Sequence, residues 1–326
     1  MTIAVGLKSH MTKALLLLLS GCASQQAIDA SEQTRIMPVE SMLGKQNWMR
    51  GSADCDTNIE PSQDVYKHNE TTIIVRQNKC LNFEAPFMYI LVGKEKILLL
   101  DTGALTDNVE FSFQQQLTDI VGKAVLSDRE LLVVHSHSHS DHYQGDSSLS
   151  TLSNVHIVKP SRSDVQQAFE FTNWPDGEKT IDLGDRKVTI LPTPGHQEEA
   201  ITVYDEQTKW LLTGDTLYPG YIYVKNWQSY RNSIAKLVTF ANNHEVSAIM
   251  GAHIEMKHQP GAYYPIGATY QPNEAQLDLS VQSMNNLNQQ LQIYKEPTKI
   301  IFNDFIIEPM SGFQKTISNA ARWLTQ

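Results

Sequence analysis

Apolar residues along this chain come mostly in short runs, bounded by glycine, proline or polar turns. Residues 71–75 are rich in β-branched side chains and read as a strand. Residues 87–92 and 96–100 are two apolar runs joined by Gly93-Lys94-Glu95, the pattern of a buried hairpin. A second hairpin is predicted for 180–183 and 187–191 around Gly184-Asp185. Further strands are predicted at 131–134, 155–158, 200–204, 210–212, 246–250 and 299–307. Helical patterns cover 108–122, 161–169 and 229–242, the last with Ile234, Leu237, Val238 and Phe240 on one side. More polar helices are predicted near 38–49, from His142 onward, and over 273–295. Residues 260–272 form a loop rich in tyrosine and proline, and no repeat of fixed period is present. Strands followed by helices, twice over, predict an α+β protein with two sheets packed face to face and helices outside.

Composition supports a packed core rather than disorder, with 41% hydrophobic and 19% charged residues. The length suits one large domain or two ordinary ones. A net charge of −10 argues against a nucleic-acid partner, because phosphate backbones need a basic face.

The first residues read as an address. Lys8 and Lys13 precede Ala14, five leucines and Ser20-Gly21-Cys22, with Met11 a second possible start. A basic flank, a short apolar run and small residues describe a signal peptide, too short to span as a permanent helix. Leu19-Ser20-Gly21-Cys22 resembles a bacterial lipobox, which implies a lipid on Cys22 that anchors the chain to a membrane. Ala23 after that cysteine implies the periplasmic face of the outer membrane, in the cell envelope. The expected organisation is a signal peptide at 1–21, a tether at 22–60, a catalytic domain at 61–260, and a C-terminal extension at 261–326 packing on it. In an oxidising compartment, Cys55 and Cys80 are expected to form a disulfide, with two buried free thiols as the alternative.

The densest chemistry follows the apolar run at 131–134. Between His135 and His142 stand four histidines and one aspartate. In an extended segment, side chains two apart point the same way, so His137 and His139 can converge on one point. Asp141 and His142 follow at another phase and can serve a second point. Imidazole and carboxylate together suit zinc, with manganese or iron as alternatives.

His137-Ser138-His139-Ser140-Asp141-His142 resembles the His-x-His-x-Asp-His signature of the metallo-β-lactamase-fold hydrolases. The Asp-His pair fixes the register and leaves His135 outside it, as a structural residue. The resemblance implies an αββα sandwich with the metal site at one edge. It extends to His196 in a Pro-Gly turn, Asp215 after a strand and His253 in Met-Gly-Ala-His. It implies that His137, His139 and His196 hold one divalent ion, most simply Zn2+, that Asp141, His142 and His253 hold another, and that Asp215 bridges them. A bridging carboxylate is similar to the glyoxalase II-like and lactonase-like branches. Asp101 in Asp-Thr-Gly resembles an aspartate that orders the loops or takes a hydrogen bond from a ligand imidazole. Tyr218 resembles a tyrosine that reaches the substrate carbonyl. His258, Tyr221, Tyr223, Trp227, Tyr263 and Tyr264 are pocket candidates by loop position.

The chemistry expected of such a site is hydrolysis of a small-molecule substrate. A water shared by two cations becomes acidic near neutral pH and can attack an ester, thioester, lactone or β-lactam carbonyl, with Asp141 orienting it. An extracytoplasmic address disfavours a glutathione thioester, whose thiol is cytosolic. The alternatives are a mononuclear iron oxygenase on the same fold, a small-molecule phosphodiesterase, and a lipid-anchored metal-binding protein without catalysis.

Overall fold

The computed structural model describes residues 46–109 and 111–315. The signal peptide, Cys22 and most of the helix expected near 38–49 lie outside the described residues; positions 46–49 are irregular. No described helix is long and apolar enough to cross a membrane.

The strands run β1 (Gln63–Asn69), β2 (Thr72–Gln77), β3 (Phe87–Val92), β4 (Lys96–Leu100), β5 (Glu130–Val134) and β6 (Val155–Ile157). These six form one sheet in that order, antiparallel through β4 and parallel from β4 to β6. Between and beside them lie α1 (Phe113–Val121), α2 (Lys123–Asp128), α3 (Asp146–Leu149) and α4 (Arg162–Ala168). The second half supplies β7 (Lys179–Asp182), β8 (Lys187–Pro192), β9 (Ile201–Asp205), β10 (Trp210–Gly214), β11 (Tyr221–Val224), α5 (Trp227–Asn243), β12 (Ala248–Gly251), β13 (Asp278–Leu279), α6 (Val281–Ile293), β14 (Ile300–Ile301) and β15 (Ile306–Pro309). The second sheet has the order β13-β12-β10-β9-β8-β7, and a small third sheet the order β11-β15-β14.

The period-2 alternation of strands decides the layers. Leu132 and Val134 of β5 join Leu98 and Leu100 in a core shared with Val188, Ile190, Val203 and Leu212 of the second sheet. Leu131 and Val133 point the other way, onto Phe113, Leu117 and Leu126 of the helices. On the far side, Leu211 and Ile249 pack against Ile234 and Leu237 of α5 and Leu287 of α6. This is the αββα sandwich expected from the sequence. Both faces of each central strand are buried, which is why these strands read as continuous apolar runs.

Several elements differ from expectation. β1 is half-exposed and polar, so it carries no apolar signal. The helix expected from 108 starts at Phe113, where Ser112 caps it, and a second short helix follows Gly122. The helix expected from 273 begins only at Val281, behind Ser280 as cap. The run 299–307 is an antiparallel pair, β14 and β15, with the chain reversing between them. The segment read as tether is packed from Trp48, which is 6% exposed and stacks edge-on against Phe87. Cys55 and Cys80 form a disulfide across 25 residues.

Candidate metal centre

The site forms where five strands end. β4 runs into Asp101, β5 into the histidine motif, β8 into Gly195-His196, β10 into Asp215, and β12 into His253. Strand-end loops on a rigid sheet are where precise placement is available. All seven residues expected as ligands come together at this edge. Candidate ligand atoms of His137, His139, His196 and Asp215 lie within 4.8 Å of one another, and so do those of Asp141, His142 and His253.

Asp215 stands between the two groups. Its Oδ2 is 3.6 Å from Nε2 of both His137 and His196, while its Oδ1 is 3.8 Å from His142 Nε2 and 3.3 Å from His253 Nε2. Asp141 Oδ2 lies 3.2 Å from His142 Nε2 and 3.3 Å from His253 Nε2. Several of these separations are too long for hydrogen bonds. Nε2 of His137, Nε2 of His142 and Oδ1 of Asp215 are buried without a hydrogen-bond partner. Leaving such groups unmet costs about 1–3 kcal/mol each. Ligand atoms each about 2 Å from one tetrahedral cation stand roughly 3.3 Å apart. The residues present therefore fit divalent cations.

The imidazoles are oriented from behind. His142 Nδ1–H donates to Asp101 Oδ2 at 2.8 Å, His196 Nδ1–H to the Tyr223 carbonyl at 2.7 Å, and His253 Nδ1–H to the Glu84 carbonyl at 3.0 Å. Each bond turns Nε2 toward the cluster, the arrangement that fixes tautomer in metal sites. His139 is turned the other way: its Nε2 lies 2.6 Å from the Gln197 amide and its Nδ1 3.2 Å from His196 Nε2. Asp101 also accepts from the Ser136 N–H at 2.7 Å and the Ser136 hydroxyl at 2.9 Å, so one carboxylate pins the motif loop. It is 1% exposed and holds φ +66, a strained position for a residue with a side chain. Asp101 acts through His142 and does not face the cleft.

Electrostatics divide the cluster. Burial, with neighbouring imidazoles, pushes His137, His139 and His196 below the ordinary histidine value. Burial acts the same way on His142 and His253, but Asp141 and Asp101 around His142, and Asp215 and Asp141 around His253, push both well above it. Burial would raise Asp141 and Asp215, yet those facing imidazoles hold both well below the ordinary carboxylate value.

The remaining candidates sort by geometry. His135 is structural, with Nδ1 at 2.9 Å from the Val158 carbonyl and Nε2 at 2.9 Å from Asp146. Tyr218 departs from expectation: its ring sits 5.5 Å from His253, but its hydroxyl lies 3.2 Å from the Tyr221 carbonyl and 3.3 Å from Glu255 Oε2, which engage it. Trp227 is buried between α5 and α6, its indole N–H donating to the Tyr294 carbonyl, and lines no cleft. His258 is exposed. Sequence reading missed Glu199, which accepts the Ser138 N–H at 3.0 Å, and Glu255, which accepts the Tyr221 N–H at 2.7 Å. Neither has a motif; Glu255 had only its place two residues beyond His253 as a signal.

The model of the metallo-beta-lactamase superfamily matches residues 81–247, just over half of the chain. The chain belongs to this superfamily. The matched span holds β3 to α5 and every candidate ligand except His253. Among superfamily relatives, the human acyl-coenzyme A thioesterase MBLAC2 is 29% identical over 163 residues, 41% of this chain and 58% of the relative. The hydroxyacylglutathione hydrolase of Brucella anthropi is 30% identical over 89 residues, 26% of this chain and 32% of the relative. The chain thus spans less than two thirds of these relatives. A solved metallo-beta-lactamase from Pontibacter korlensis aligns with 71% of this chain and 99% of its own, at 19% identity and a TM-score of 0.46.

Proposed function

We propose that this chain is a dinuclear metal-dependent hydrolase acting on a carbonyl of a thioester, ester or lactone, with β-lactams the outlying class. The observation that carries the reading is one carboxylate, Asp215, facing two separate ligand groups. His137, His139 and His196 would hold one ion, Asp141, His142 and His253 the other, with Asp215 between; Zn2+ suits this donor set. Bound there, such ions supply Lewis acidity to a carbonyl and lower the pKa of a water.

The chain's own part is placement. Asp101, Tyr223 and Glu84 accept the Nδ1–H of three imidazoles, so each Nε2 faces the cluster without the ring having to turn. Asp141 stays a carboxylate, and its side chain is 15% exposed against 8% for Asp215. It is the acceptor that orients an attacking water. The names of the two relatives, both thioester-cleaving enzymes, support the thioester reading. The proposed envelope address, with lipid on Cys22, favours acyl compounds other than cytosolic glutathione thioesters.

The test uses protein lacking residues 1–22. Metal content is measured, and a thioester, a lactone, a β-lactam and a phosphodiester are screened with and without chelator. Chelator-sensitive cleavage of a carbonyl substrate is expected, and Asp141→Ala should abolish it with an unchanged circular dichroism spectrum. Full activity in that variant overturns the assignment. Bound iron with oxygen uptake and no hydrolysis would favour the oxygenase alternative.

A further inference from the structure

Beside the metal centre lies a row of tyrosines that the placement of ligands does not need. β11 alternates: Ile222 and Val224 are buried, while Tyr221 and Tyr223 are half-exposed on the opposite face. The ring of Tyr223 is 5.3 Å from that of Tyr221, and Tyr221 is 4.9 Å from Tyr263, which is 43% exposed. Three aromatic rings in a row on a surface are a recognition feature more than a packing one, since buried rings would serve the core better.

The row is tied to the ligands at two points. The Tyr223 carbonyl accepts from His196, so this side chain starts one bond from a ligand's support. Glu255 accepts the Tyr221 N–H and engages the hydroxyl of Tyr218, whose ring packs beside His253. The middle ring of the row, Tyr221, is also held in place. Tyr221 donates its hydroxyl to Glu308 at 2.6 Å, and Lys299 lies 4.6 Å from its ring centre while pairing with Glu308 at 2.9 Å. Lys299 is thereby compensated, and what the row presents is ring surface rather than a bare charge. Rigid tyrosines give contact area at low entropic cost.

We propose that Tyr221, Tyr223 and Tyr263 form the subsite for an extended apolar acyl group of the substrate, so that the chain prefers long acyl compounds to short ones. This rests on the carbonyl-hydrolase reading above. Each methylene laid on the row should raise kcat/KM about two-fold, because an open row of rings covers one side of the chain and recovers about half of the ~0.8 kcal/mol of a fully buried CH2. The gain should end once the two ring-to-ring steps of 5.3 and 4.9 Å are covered.

The experiment compares acyl thioesters from acetyl to decanoyl in the wild type, Tyr263→Ala, Tyr223→Leu and Tyr223→Phe. Calorimetric binding of acetate and decanoate to the same metal-loaded proteins runs alongside. The wild type should show a rising series and tighter decanoate binding. Tyr263→Ala, at an exposed position where folding is not at risk, should cut the decanoyl-to-acetyl ratio about ten-fold, or about 1.4 kcal/mol. Tyr223→Phe should keep the ratio and Tyr223→Leu lower it. Turnover with no length preference, or a preference untouched by Tyr263→Ala, overturns the subsite and leaves the hydrolase reading standing. Absent turnover with length-graded decanoate binding lost in Tyr263→Ala keeps the subsite and sinks the hydrolase reading.

Discussion

Asp101→Asn isolates the effect of one buried oxygen. The asparagine has the same shape, and the backbone at φ +66 favours it, because asparagine enters the left-handed region more readily than most residues. Its one remaining oxygen can still accept the Ser136 N–H. The other position becomes an NH2 facing His142 Nδ1, where the carboxylate now accepts at 2.8 Å. Two donors cannot meet there. Either His142 shifts its proton to Nε2, which removes it as a ligand, or the contact opens and the ring is no longer aimed. Loss of such a supporting partner typically weakens metal affinity 10–100-fold, or about 1.4–2.8 kcal/mol. The loss should fall on the ion held by Asp141, His142 and His253, leaving the group around His137, His139 and His196 nearly intact. The assay is competition with a chromophoric chelator, read as two successive affinities, with melting followed on the metal-free protein. Asp146→Asn is the control, since Asp146 holds His135 outside the ligand set. Equal affinities for both ions in wild type and Asp101→Asn, or an equal loss in Asp146→Asn, would refute the reasoning.

Other outcomes follow from the same geometry. Because the carboxylates around them push His142 and His253 above the ordinary histidine value, protons compete with metal at these two rings, and loading should release them. Calorimetry in buffers of different ionisation enthalpy should show proton release on the second ion, whose occupancy falls first as pH falls; loss of both ions together would contradict this. Gly214 holds φ +51, and a Cβ there would stand 2.3 Å from Ser136 Cβ, so Gly214→Ala should cost about 3 kcal/mol in denaturant unfolding and weaken metal binding by displacing Asp215. Closing a loop of 25 residues, the Cys55–Cys80 disulfide should contribute about 3.5 kcal/mol, so reductant should lower the wild-type melting temperature and leave Cys80→Ser unchanged.

Much of the sandwich was readable because its central strands are buried on both faces. β3 and β4 fall where the apolar runs 87–92 and 96–100 predict them. Elements with one wet face were less visible. β1 reads Gln-Asp-Val-Tyr-Lys-His-Asn and looks like loop. β11 is four residues of Tyr-Ile-Tyr-Val inside a stretch read as loop. At the site, residue types and order brought out all seven clustered side chains, since ligand chemistry restricts a position to a few residue types, here histidine and aspartate. What the sequence hid is which nitrogen faces the cluster. That is set for His196 and His253 by backbone carbonyls, and any residue has one of those.

The rigidity of the centre therefore comes in large part from its backbone. Of the three acceptors that stand within 3.0 Å of Nδ1 of His142, His196 and His253, only Asp101 is a side chain; the others are the carbonyls of Tyr223 and Glu84. A carbonyl is aimed by its strand or loop, so His196 depends on the position of β11 and His253 on the loop 78–86. β11 belongs to neither large sheet. It pairs with β15 in parallel, and β15 with β14. The loop 78–86 is held in turn by the disulfide at Cys80 and by the Gln77 N–H bonding to the Pro86 carbonyl. Thus two segments outside the histidine motif, the loop 78–86 and β11, aim two of the five imidazoles. The residues from 300 to 309 are therefore not an appendage to the site: by pairing with β11 they set both the acceptor behind His196 and the row of Tyr221 and Tyr223 beside it.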